Sequence, residues 1–128
     1  MQMNSPLMKF ASALFLVLVP VSHAEARNIK FDCRFDRVAT PVGLKNERFD
    51  MQFVLDDLTR KAVIIGNQGM SDVALYTGTA GITFIETLAS GAVQTTTVSN
   101  GGNSVHSRHS MIAGDLVPSQ YWGRCIRE

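Results

Sequence analysis

Ile29-Lys30-Phe31-Asp32-Cys33-Arg34-Phe35-Asp36 is the stretch that decides the fold. Apolar and charged residues alternate through all eight positions. Ile29, Phe31, Cys33 and Phe35 make one face, and Lys30, Asp32, Arg34 and Asp36 make the other. A period of two is the mark of a half-buried strand in an antiparallel sheet. The cysteine lies on the apolar face, where a buried bridge would sit.

The same period recurs downstream. Phe49, Met51, Phe53 and Leu55 alternate with Asp50, Gln52, Val54 and Asp56. KAVIIG (61–66), VALYTG (73–78), GITFIETL (81–88), AVQTTTVS (92–99), NSVHSRHSMIAG (103–114) and SQYWGRC (119–125) follow. Valine, isoleucine and threonine favour the extended backbone in these segments. Glycine, asparagine or proline punctuates the gaps, most clearly in Ser99-Asn100-Gly101-Gly102-Asn103, a hairpin signal. The turns recur about every ten residues, and no gap between them could hold a crossover helix. The expectation is an all-β domain, a small antiparallel up-and-down barrel or sandwich of about seven or eight strands. A loop is expected at Pro41 and Gly43, and Pro118 is expected to precede the last strand.

Upstream of the first strand, Lys9 precedes the apolar run Phe10–Val21, which Pro20 interrupts. Small residues follow at Ser22, Ala24 and Ala26. Charged, apolar and small segments in that order form a secretory leader. The run is too short for a bilayer-spanning helix, which needs roughly twenty residues. Residues 1–24 are therefore read as a signal peptide and 25–128 as one β-domain, with no stable membrane span after cleavage. Cleavage after Ala26 is the alternative. The expected location is the periplasm in a Gram-negative host and extracellular otherwise. Lys9 is the one charged residue in the leader, so its removal turns the chain's net charge of +1 into zero. A neutral domain does not present the basic surface that nucleic acid requires.

Cys33 and Cys125 are the two cysteines of the chain. An oxidising compartment favours pairing them, which would join the first strand to the last. Those strands become neighbours if the sheet closes on itself.

The C-terminal part holds the densest side-chain chemistry. Alternation puts His106, Arg108 and Ser110 on one face of the seventh strand, and Val105, Ser107, His109 and Met111 on the other. Histidines on opposite faces do not converge on one metal ion. His109 is expected to face the core or cap a strand end, and Arg108 to be a solvated strand residue. Tyr121 shares its side with Cys125 and is expected to pack inward, leaving Trp122 the more exposed. His106, Arg108, His109, Tyr121 and Trp122 together form the expected binding surface, with forked hydrogen bonds from arginine and apolar area from tryptophan. No G-x-S-x-G turn is present and no serine stands out as a nucleophile, so Glu86 or Asp115 would complete a triad only on paper. Catalytic residues, metal ligands and cofactors are not assigned.

The segments GITFIETL, TTTVSNGG, VHSRHSMIAG and PSQYWGRC resemble a group of short exported alphaproteobacterial proteins that carry no known activity. The most distinctive pieces are Ser107–Ser110 and Pro118–Cys125. The overall plan is similar to that of periplasmic C-type lysozyme inhibitors, small barrels with an early and a late cysteine. The chain lacks their S-G-x-x-Y inhibitory segment, so that likeness concerns architecture alone. The leading functional expectation is a macromolecule-binding or envelope-associated module with a periplasmic protein as partner. A barrel that binds a small ligand is the alternative, and a hydrolase is the least supported class.

Export has a direct check. N-terminal sequencing of the protein from its producing cell is expected to read from Glu25, or from Arg27 if cleavage follows Ala26. An intact leader on soluble cytoplasmic protein would refute the reading.

Overall fold

Eight strands follow one another in chain order, each antiparallel to the next: β1 (Asn28–Thr40), β2 (Gly43–Asp56), β3 (Ala62–Gly66), β4 (Gly69–Thr77), β5 (Gly81–Thr87), β6 (Val93–Ser99), β7 (Asn103–Ile112) and β8 (Asp115–Arg127). β8 pairs back onto β1, so the sheet is a closed barrel rather than a two-sheet sandwich. Closure removes free sheet edges wherever the ring is complete. The computed structural model describes residues 2–4, 6, 10–23, 25, 27–67 and 69–128. Lys9, Ala24 and Ala26, on which the leader reading partly rests, lie outside the described residues. Residues 10–23 carry no regular secondary structure, and Phe10, Phe15 and Leu18 among them are exposed. Among the described residues, no helix is long and apolar enough to cross a membrane.

The seam between β1 and β8 carries the expected bridge. Cys33 and Cys125 are direct cross-strand partners and form a disulfide across a sequence separation of 92 residues. Both are buried. Two residues above, the register slips. Phe35 pairs with Gly123, but the next partner of Trp122 is Arg37, so Asp36 is an extra residue on β1. A bulge of this kind inverts the alternation beyond it. Val38 points inward and is fully buried, while Arg37 turns outward and is exposed. Glycine at 123 is what lets the strands approach there. A Cβ at that position would collide with the Arg34 carbonyl oxygen and the Phe35 Cα.

The interior is filled at mid-height. Phe53 and Phe84 stack at 4.1 Å between ring centroids with planes 8° apart, and the edge of Phe31 meets Phe84 at 5.7 Å. Phe53 and Phe84 line neither end cavity, so this aromatic plug separates two openings.

Two hairpins run past the barrel wall. Pro41 and Val42 form a tight turn from β1 to β2, where a longer loop was expected, and β2 starts at Gly43. β7 and β8 pair as far as Ile112 and Asp115, so Pro118 lies inside β8 opposite His109 rather than before the strand. Proline is tolerated there because β1 flanks β8 only as far as Gln120. Ala113 occupies the turn at φ 52° and Gly114 follows at 83°. Positive φ at both centres is the turn that suits strand twist.

The seam generates two expected outcomes. Replacing both cysteines by serine lowers unfolding free energy by about 4–5 kcal/mol on loop-entropy grounds. Denaturant titration with and without reductant measures this, and a reductant-insensitive wild type would contradict it. Gly123→Ala costs about 3 kcal/mol or more, because the added methyl meets backbone that cannot rotate away. A wild-type melting curve for that variant would contradict the close approach.

Candidate functional site

Cross-strand pairing sets the inner face in rows. Phe84, Thr96, His106, Tyr121 and Val38 are successive partners on β5, β6, β7, β8 and β1, and all are buried. One row nearer the β3–β4 turn, Glu86, Gln94, Arg108 and Ser119 are partners in the same way. On β5, β7 and β8 the inner face thus changes from Phe84, His106 and Tyr121 to Glu86, Arg108 and Ser119 within two residues. Arg108, Glu86 and Gln94 line a cavity of about 340 Å³ at this end, with Phe49, Met51, Ile64 and Leu88 as its apolar wall.

His106 has no solvent exposure. Its Nδ1 lies 2.7 Å from Thr96 Oγ1, and that hydroxyl donates to Met51 Sδ at 3.7 Å. The network therefore puts the imidazole proton on Nδ1, donating to the threonine oxygen. Nε2 is buried with no partner. Burial, reinforced by the Arg108 charge, pushes the imidazole down to about 4. His106 is thus neutral at neutral pH and serves the interior, packed among Phe35, Phe49 and Tyr121 at 5.8, 5.5 and 6.1 Å.

Arg108 is the unusual group. Its guanidinium lies over Phe49 at 5.1 Å and over Tyr121 at 5.6 Å from the ring centroids. Nη1 donates to the Tyr121 hydroxyl at a long 3.4 Å, while Nε is buried without a partner among the described residues. No carboxylate lies within ion-pair distance of it among the described residues. A partly buried cation is normally paired, because desolvation is costly. Here the two rings supply a cation–π cradle, and Arg108 contributes to the lining of the cavity.

The opposite mouth is larger, about 490 Å³, and includes Asp57, Arg60, Asn100 and Arg124 in its lining. Three of its charges are already engaged, while Arg127 has no charged partner among the described residues. Arg124 donates to Asn103 Oδ1 at 2.6 Å and to the Gly101 carbonyl at 2.8 Å, and Arg60 reaches Asp57 at 3.0 Å. The smaller mouth holds both a guanidinium and a carboxylate that form no ion pair among the described residues.

The five expected surface residues do not form one surface. His106, Arg108 and Tyr121 are inside, whereas His109 and Trp122 are on the outer face. Trp122 is half-buried beside its outward partner Val105, and His109 is exposed opposite Pro118 rather than core-facing. Arg108 is half-buried within the barrel rather than solvated outside it. Neighbouring residues of a strand project to opposite sides of the wall, although Arg108 and His109 both border an open depression between the end of β1 and β8, with Pro41 and Gln120. Gln94 is not among the expected site residues, and Glu86 is weighed there only as a triad acid, not as part of a binding mouth. Their signal was present, since Glu86 lies two residues from Phe84, and Gln94 two from Thr96.

Among the described residues, no three His, Cys, Asp or Glu side chains gather as metal ligands would. No protein-family model, no curated protein and no solved structure matches the chain.

The buried imidazole makes stability pH-dependent. The unfolded chain takes up a proton near pH 6.5 and the folded chain only near pH 4. His106 therefore supports full stability above pH 6.5, and its contribution of about 3 kcal/mol is lost as pH falls to about 4. Urea unfolding of wild type and His106→Gln across this range is the measurement, and the variant should show a flatter profile. An NMR titration of the His106 ring with a midpoint near 6.5 would contradict the assignment.

Proposed function

We propose that the protein is an exported small-ligand-binding barrel whose ligand enters through the mouth lined by Arg108, Gln94 and Glu86. One observation carries this reading. A guanidinium without an anionic partner among the described residues lies against two aromatic rings at the edge of a cavity of about 340 Å³. Concave, mainly apolar sites with a few convergent polar groups are typical of small-ligand binding. The aromatic plug gives the cavity a floor, so a ligand would sit in the mouth and not pass through the barrel. Enzymatic turnover is not part of the reading.

A second reading, a macromolecule-binding or envelope-associated module, rests on a different observation. The tips of the two long hairpins expose Val42, Leu44, Met111, Ile112 and Leu116. Exposed apolar clusters of this kind mark contact surfaces. The interior site and the hairpin tips are separate parts of the molecule, so one experiment distinguishes them.

Amide NMR of the mature domain, titrated with a library of small polar and amphipathic fragments, tests the first reading. Bound fragments are expected to shift Gly66, Gly69, Ser71, Gln94 and the Arg108 Nε–H resonance together. Shifts confined to the hairpin tips, or none, would overturn the interior-ligand reading.

A further inference from the structure

Glu86 and Arg108 face the same cavity from β5 and β7, with Gln94 on the strand between them. Adjacent strands lie about 4.8 Å apart, so the two backbones are separated by roughly 10 Å. The side chains bear opposite charges, yet they form no ion pair within 4 Å, and Glu86 has no hydrogen-bond or ion-pair partner among the described residues. Phe49 and Tyr121 hold the guanidinium on its own side of the cavity. The interval between the charges is bordered by the Gln94 amide; Phe49, Met51, Ile64 and Leu88 supply the apolar part of the wall, and Asn67 and Ser71 add polar groups on the β3–β4 side.

A ligand that was only an anion would satisfy Arg108 and be repelled by Glu86. A ligand that was only a cation would meet the converse. A neutral apolar ligand would cover both charges and satisfy neither, which is the costly arrangement. One chemical class answers every group: a molecule with an anionic end, a cationic end and an apolar body. The guanidinium offers two terminal nitrogens to a carboxylate in forked geometry. The Glu86 carboxylate accepts from an ammonium, Gln94 bonds to polar atoms between, and the apolar wall takes a hydrocarbon side chain.

Resting on the reading of this mouth as the ligand site, we propose that it binds a small apolar zwitterion of amino-acid or dipeptide size. The carboxylate is held by Arg108 and the ammonium by Glu86. A volume of about 340 Å³ admits a molecule of that size. Net charge within the cavity is balanced, so recognition comes from the separation of the charges and not from attraction to one sign.

Calorimetric and NMR titration of the mature domain with four probes tests this. The probes are leucine, leucyl-leucine, 4-methylpentanoate, which lacks the ammonium, and 3-methylbutylamine, which lacks the carboxylate. At least one zwitterion is expected to bind ten or more times tighter than either single-charge probe. Glu86→Gln should erase the preference for the zwitterion over 4-methylpentanoate. Arg108→Gln should erase its preference over 3-methylbutylamine. Unchanged amide spectra elsewhere in each variant verify the fold. If 4-methylpentanoate binds as tightly as the zwitterions and shifts the same mouth, the zwitterion inference fails and the ligand-site reading stands. If the zwitterions bind weakly while another library fragment fills the mouth, the inference fails in the same way. If no probe or fragment perturbs the mouth, both readings fail.

Discussion

Closure of β8 onto β1 is the constraint on which the rest depends. The seam brings together residues far apart in the chain, which is entropically expensive. The Cys33–Cys125 bridge shifts that cost onto the unfolded state by holding its ends together. Gly123 then allows β8 to approach the bulged part of β1, and the bulge turns Val38 inward beside Tyr121. With Tyr121 fixed, one of the two rings that cradle Arg108 is in place. The other, Phe49, is on β2, whose register is set by its pairing with Phe35. The candidate site therefore depends on the seam although neither cysteine touches it.

The interior is organised by depth. Aromatic and aliphatic residues fill the middle, where Phe53, Phe84 and Phe31 interlock. A neutral histidine shares its Nδ1 with a threonine hydroxyl in the layer where His106 is placed. Charge appears one layer further out, where the cavity opens. This gradation explains why a barrel with so small a circumference can keep an arginine and a glutamate on its inner face. They lie at the mouth, where the cavity moderates the desolvation that full burial would impose.

The two extended hairpins have a different physical character. Before Gln120, β8 is flanked only by β7, and the lower-numbered part of β2 is flanked only by β1. Charges at Lys45, Glu47 and Arg48 decorate that open edge of β2, which discourages unspecific strand pairing. The apolar residues at the tips are not protected in this way. Functional pressure on the tips and on the mouth could therefore act independently.

Much of the fold was legible because a strand has an exact period of two. Ile29 to Asp36 and Phe49 to Asp56 assigned their own faces, and glycine-rich breaks marked the hairpins. Even the disulfide followed from one pair of cysteines at opposite ends of a β-domain. The same alternation correctly put His106 beside Arg108 and apart from His109. What local pattern could not provide was which face was the inside for β7, because both faces carry polar residues. It also could not foresee that Asp36 is a bulge residue, or that Pro118 could lie in a strand beyond its neighbour's end. Barrel closure settled each of these. Inside and outside are properties of the whole ring, and the pairing of Glu86, Gln94, Arg108 and Ser119 into one row depends on the register of four strands at once. The sequence by itself determined the strands and their bridge, because those rest on nearest neighbours and cysteine chemistry. Only the tertiary structure decided that an arginine expected on the surface is an inward cation at a cavity mouth, because that follows from long-range register.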